Sequence, residues 1–157
     1  MGGPCTGYDA PMSTVSREIK ASPDEVWEVL ADGWLYPLWV VGATRMRSVD
    51  ESWPDDGARL HHSVGVWPAV LDDETEVLRA EPPTSLRLRA SAWPLGKAEV
   101  LITLAAAGAA TEVSIEEQAS TGPGALTPRV VHDPLVSWRN TESLRRLAFL
   151  AEGRAGG

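Results

Sequence analysis

The sequence predicts an α+β fold, a helix-grip arrangement in which a curved antiparallel sheet of about seven strands wraps around a long C-terminal α-helix. Three observations lead there. One short strand runs straight into a strongly capped helix start, and a second short helical or turn segment follows. Next comes a succession of short alternating strands joined by Pro- and Gly-containing turns. A long helical stretch then closes the domain.

Residues 1–11 (MGGPCTGYDAP) are rich in Gly and Pro and carry no periodicity. Met12 opens a more regular stretch, so residues 1–12 are read as a flexible extension, 13–152 as the folded domain and 153–157 as a tail. Within 13–20, Val15, Arg17 and Ile19 alternate with Ser16, Glu18 and Lys20, the period of a strand. Ser22-Pro23-Asp24-Glu25 then starts a helix. Ser22 caps it, Pro23 takes the first helical position and Glu25 completes a capping box. Val26, Val29 and Leu30 form its apolar face, and Gly33 stops it.

The aromatic run 34–42 (WLYPLWVVG), broken by Pro37, reads as a short second helix or tight turn packing a corner of the sheet. Strands are expected at 44–50, 58–66, 70–80, 84–92, 97–106 and 111–119. Short sequential strands with tight connections form an antiparallel meander. The clearest is 85–92, where Leu86, Leu88, Ala90 and Ala92 share one face and Ser85, Arg87, Arg89 and Ser91 the other. Such a strand is wet on one side only, so the sheet must be covered on its other side.

The cover follows the Gly- and Pro-rich link 121–128. Thr127-Pro128 and Asp133-Pro134 each look like a cap followed by proline, so an early start implies a kink or break at Pro134. At about 100° per residue, Leu144, Leu147, Ala148 and Ala151 share a face. Carried back, that face shows Ser137, Asn140 and the flank of Thr141. The helix is apolar where it seals the sheet and mildly polar over its other half.

Composition bounds the function. The chain has 157 residues, 43% of them apolar and 23% charged, which suits one domain with a core of its own. No apolar run approaches the ~20 residues of a membrane span, and no signal-peptide pattern opens the chain. With a single cysteine, Cys5, these features point to the cytoplasm. The net charge of −8 argues against nucleic acid and anionic membranes as partners. Arg139, Arg145 and Arg146 form the one local basic cluster, read as a solvated helix face. The acidic run Asp72, Asp73, Glu74 and Glu76 is likewise read as solvated.

The stretches Ala21-Ser22-Pro23-Asp24-Glu25-Val26-Trp27, Tyr36-Pro37-Leu38-Trp39-Val40, Gly57-Ala58-Arg59-Leu60 and Arg139-Asn140-Thr141-Glu142-Ser143-Leu144 resemble the START-like, or SRPBCC, superfamily. The nearest resemblance is to its bacterial polyketide cyclase/dehydrase-like branch, over about residues 13–152. The superfamily includes lipid carriers, aromatase/cyclases, hormone receptors, birch-pollen allergen relatives and chaperone activators, so the fold alone does not select an activity. The resemblance implies a deep cavity between sheet and long helix, lined mainly by apolar side chains.

Candidate site residues follow from the faces. His62 shares the covered face of its strand with Leu60, Val64 and Val66. An imidazole there orients a ligand carbonyl or serves as a general base, against the bland reading of a histidine bonded to backbone or water at the sheet margin. Glu117 follows Val113 and Ile115 on one face. It is either a carboxylate facing the cavity or a strand-end residue that reaches solvent or meets an Arg. Asn140 and Ser137 lie where the helix covers the cavity. The candidate catalytic groups are thus His62, Glu117 and Asn140. The ligand-binding set adds Leu60, Val64, Trp67, Leu88, Ala90, Trp93, Ile115, Ser137, Trp138 and Thr141.

Seven Trp beside one Phe and two Tyr suit core and pocket walls alike, with Trp67, Trp93 and Trp138 as the wall candidates. No metal-ligand spacing or phosphate loop occurs, so no metal and no cofactor is expected. The expected partner is an apolar small molecule, held by a monomer or homodimer. Because no nucleophile–base pair stands out, binding ranks ahead of poly-β-ketone cyclisation or dehydration, and a chaperone-activator role comes third.

Overall fold

The structure, a computed structural model, describes residues 12–91, 96–121 and 129–156. Seven strands, β1 (Met12–Ile19), β2 (Ala43–Val49), β3 (Arg59–Val66), β4 (Ala69–Glu81), β5 (Ser85–Ser91), β6 (Lys97–Ala107) and β7 (Ala110–Thr121), form one sheet. Its order is β1-β7-β6-β5-β4-β3-β2, antiparallel throughout. Helix α1 (Pro23–Ala31), a 3-10 turn (Gly33–Leu35) and helix α2 (Tyr36–Trp39) link the two edge strands β1 and β2. Helix α3 (Arg129–Ala155) packs across the covered face. The expected α+β helix-grip architecture is the observed one.

Local chemistry explains the joints. Ser22 Oγ accepts from the Glu25 amide at 3.2 Å while Glu25 Oε2 accepts from the Ser22 amide at 2.8 Å, a complete capping box. The helix ends at Ala31 with Asp32 as its cap, one residue before the expected stop, and Asp32 Oδ1 then caps the 3-10 turn by accepting from the Trp34 amide. Gly33 is buried there because there is no room for anything larger. A Cβ would stand 2.6 Å from Leu60 Cδ2 and 2.8 Å from Val49 Cγ1.

Two expectations change. Strand β7 runs to Thr121 rather than ending at 119, so Glu117 sits inside the strand and not at its end. Helix α3 takes the early start at Arg129 and is one continuous element with Pro134 inside it. Pro134 is the sixth residue of that helix, close enough to the N-terminus that it deletes a single backbone bond near an end already short of partners.

The core lies toward the α1 end of the sheet. Val26, Leu86, Val113, Leu144 and Leu147 are each at most 2% exposed, and burial of such a side chain contributes roughly 1.5–3 kcal/mol. Trp53 belongs here as well, buried with its indole N–H donating to the Leu30 carbonyl at 3.2 Å. No helix among the described residues is long and apolar enough to cross a membrane.

Candidate functional site

Toward the other end the sheet and α3 do not close on each other. Between them lies a cavity of about 450 Å³, within the usual range for small-molecule sites. Its floor comes from strand faces. Leu88 and Ala90 of β5 stand beside Ala98, Val100 and Ile102 of β6, with Ile115 and Glu117 of β7 next to them. The α2 end contributes Tyr36, Trp39 and the chain through Ala43, and β3 contributes His62, Val64 and Gly65. Gly65 has a φ of +109°, and a side chain there would run into the Ala69 carbonyl, so the wall turns at that point only with glycine. Helix α3 roofs the cavity with Val136, Arg139, Asn140 and Ser143, and its Leu135 and Trp138 stand at the exposed rim.

Among the described residues two polar networks, besides Ser143, interrupt these apolar walls. The first joins β7 to α3. Glu117 is 2% exposed, and both its carboxylate oxygens accept from the Arg139 guanidinium. Asn140 Nδ2 donates to Glu117 Oε2 at 2.9 Å. These donors leave the buried carboxylate with no hydrogen-bonding oxygen unmatched.

The second group joins α2 to the sheet. In the β3/β4 register His62 lies opposite Asp73 and Leu60 opposite Thr75, which makes His62 and Thr75 diagonal neighbours on the covered face. His62 Nε2 is 2.9 Å from Thr75 Oγ1, and the Tyr36 hydroxyl is 3.1 Å from the same oxygen. The Tyr36 and His62 rings lie 5.2 Å apart, tilted at 35°. His62 is 2% exposed, and its Nδ1 has no hydrogen-bond partner among the described residues.

Burial sets the proton chemistry of this group. It pushes the Tyr36 hydroxyl up to about 12, so the phenol keeps its proton. Burial also lowers the pKa of His62, against an opposing pull from the Asp73 carboxylate, and favours the neutral ring. The Ser63 backbone also favours the protonated ring, though no hydrogen bond of normal geometry reaches Nδ1.

Of the residues singled out in the sequence, His62, Val64, Leu88, Ala90, Ile115, Glu117, Trp138 and Asn140 line this one cavity. Leu60 does not; it is wholly buried in the core beside Gly33. Trp67 is 85% exposed, because it occupies the two-residue turn between β3 and β4, beyond the strand alternation that would aim it inward. Ser137 faces β1, sharing a 2.8 Å hydrogen bond with Ser13 Oγ, and Thr141 is exposed; both lie about one residue's rotation off the face that 136, 140 and 143 present. Trp93 and Ala92 lie outside the described residues.

Sequence reasoning missed Tyr36, Thr75 and Arg139. Tyr36 was expected to pack a corner, and Thr75 was hidden in an acidic run. Arg139 was grouped with Arg145 and Arg146, which do sit on the surface beside Glu142. Two signals pointed to the missed residues. Thr75 stands between Asp73 and Val77 in the alternation of β4, and a buried Glu117 needs a cation from the covering helix.

The family model for polyketide cyclase / dehydrase and lipid transport matches residues 12–152, nearly the whole domain. The chain belongs to that family. It lies within the START-like, SRPBCC superfamily, as the sequence motifs indicated. Among curated proteins none matches. Among solved structures the chain is similar to protein NE0264 from Nitrosomonas europaea, with 16% identity and a TM-score of 0.71 over 93% of this chain and 97% of that one. It is also similar to the di-domain ARO/CYC StfQ from the steffimycin biosynthetic pathway, at 12% identity and a TM-score of 0.71, covering 93% of this chain and 52% of StfQ. DynU16, of the dynemicin biosynthetic locus, matches at 23% identity and a TM-score of 0.65, over 90% of this chain and 47% of its own. At these identities the structural likenesses show the shared fold alone.

Proposed function

We propose that this family member binds an uncharged, largely apolar small molecule, polycyclic, polyketide or lipid-like, in the cavity between the sheet and α3. One observation carries the reading. The walls are mostly apolar, and among the described residues the one ion pair that reaches the cavity, Glu117 with Arg139, is already matched. A charged ligand would have to break that pair or enter without a partner, and both are costly in a buried site. The family description, which joins polyketide cyclisation and dehydration with lipid transport, fits such a ligand.

A second reading is cyclisation or dehydration of a polyketide chain in the same cavity. His62 favours it, as a lining imidazole whose Nδ1 has no hydrogen-bond partner among the described residues. Glu117 does not, since Arg139 and Asn140 already occupy its oxygens. On the cyclase reading, His62→Gln should slow turnover of a cognate chain by at least ~100-fold, the scale of lost acid–base help.

The test of the binding reading is mass spectrometry of small molecules released from protein purified out of a native-like host, alongside titration with the neutral dye Nile red. A stoichiometric apolar compound is expected. Dye binding should be lost in Ala90→Phe, whose ring fills the cavity from β5, while circular dichroism still reports a fold. An empty extract together with equal dye affinity in Ala90→Phe would sink the reading.

A further inference from the structure

We propose that the open end of the cavity is a docking surface for a lipid bilayer of no net charge, seated on the tip of the β3/β4 hairpin and the N-terminal half of α3. The surface is independent of what the cavity holds, and its test needs no ligand.

Exposed apolar side chains gather at that end. Trp67 is 85% exposed, Trp138 64% and Leu135 57%, and Val70 and Leu71 are exposed as well. Leu135 and Trp138 stand on the α3 side of the mouth. Gly65 and Ala69 line the same cavity and flank the turn that carries Trp67, so the hairpin tip borders the mouth from the sheet side. Among the described residues β4 pairs with β5 only from Glu76 onward, while Ala69–Thr75 pair with β3 alone. The tip is therefore a two-stranded ribbon that β5 does not flank.

Charge is distributed to match. From Ser63 to Leu71 the ribbon holds no charged residue, in a chain of which 23% is charged. Of the charges beside it, Asp72 meets Arg47 at 3.4 Å and accepts from Ser63 Oγ at 3.2 Å, and Arg139 is bound to Glu117. The opposite end of the sheet is acidic. There the β2/β3 connection carries Asp50, Glu51, Asp55 and Asp56, and β4 ends on Glu81. An uncharged, apolar end complements a neutral interface, whereas the overall charge of −8 opposes an anionic one.

The same features favour a bilayer over a protein. Two separate elements stand on either side of an opening, and a protein partner would have to match both in shape. Lipid deforms around them. Tryptophan suits that boundary, with its ring among the acyl chains and its N–H in the wet headgroup layer. An apolar molecule leaving the mouth passes between these side chains into hydrocarbon without crossing water.

Co-sedimentation of the full chain with phosphatidylcholine vesicles tests this, with circular dichroism to confirm that each variant folds. Wild type should partition onto the vesicles. Trp67→Ser and Trp138→Ser should each lower the partition coefficient at least ~10-fold, since each withdraws a large ring from the contact. Trp34 is the control. It is 59% exposed but lies beside Asp50 and Glu51 at the acidic end, so Trp34→Ser should stay within about twofold of wild type.

No association of wild type with the vesicles overturns the proposal, as does an equal loss in Trp34→Ser. Neither outcome touches the cavity's role as a ligand site, which the Nile red titration decides separately. If wild type instead forms a dimer in sedimentation equilibrium that Trp67→Ser dissolves, and vesicles are not bound, the rim belongs to a second copy of the chain and the bilayer is overturned.

Discussion

The C-terminal half of α3 and its N-terminal half show the same face to the same sheet, yet they meet it differently. Leu144, Leu147, Ala148 and Ala151 are all at most 2% exposed and close directly onto the core. In the stretch just before them, Val136, Arg139, Asn140 and Ser143 stand over open space. The polar members of that set are all engaged. Arg139 and Asn140 bind Glu117, and Ser143 Oγ accepts from the Val41 amide at 3.2 Å. The sealing half holds the fold by packing. The roofing half is held off the sheet by hydrogen bonds and an ion pair, which have fixed lengths and do not collapse into a void as alkyl groups would. The difference shows how one helix keeps a cavity open without loosening the domain.

The comparison can be broken most forcefully at the sealing end. Leu147→Ala removes a wholly buried side chain from a packed site, and a loss of about 3 kcal/mol is expected. Urea denaturation checks it. Nile red affinity should stay within about twofold, because Leu147 does not line the cavity. A loss of affinity in the folded variant would show that the two halves are not separable.

The next effect lies in the roof. Arg139→Met strands the Glu117 carboxylate, which is 2% exposed. Breaking a fully buried pair costs about 3–5 kcal/mol; with the Arg139 side chain still 29% exposed, about 2 kcal/mol is expected. Adding Glu117→Gln removes the stranded charge and should regain at least half of that loss, measured in the same urea titrations. If the double variant is no more stable than Arg139→Met, the ion pair is not what holds the roof.

This division also marks what was legible in the sequence. Period-2 alternation in 85–92 and the Ser22–Glu25 capping box are local patterns, and the elements they foretold formed within a residue or two. The sealing face of α3 was legible for the same reason, since four apolar residues at helical spacing announce burial. The polar roof was harder. Glu117 was left open between facing the cavity and meeting an arginine, and in the structure it does both. Nothing in the spacing of Arg139, Arg145 and Arg146 separates the first from the others. That separation depends on which helix face passes over β7, a matter of tertiary placement. Thr75 gave still less, because a hydroxyl inside an acidic run matters only once β3 has brought His62 alongside it.

The smallest of these effects sharpens the comparison from the sheet side of the cavity and concerns pH. Burial holds the pKa of His62 below its ordinary 6.5. The Asp73 carboxylate and the Ser63 backbone oppose that shift, while Arg47 and His61 reinforce it. A ring that resists protonation when folded binds more protons when unfolded, so stability rises with pH through this interval. The contribution is fully present above about 6.5 and is lost as the pH falls toward the lowered native value. Urea unfolding of wild type and His62→Gln at pH 7.5 and 5.5 isolates it, since carboxylates titrate in both proteins. Wild type should lose more stability on acidification than the variant. Equal losses would mean that His62 is hydrated in the free protein. The cavity would then be wet on its β3 side, and α3 would be roofing a water-filled pocket in place of a dry one.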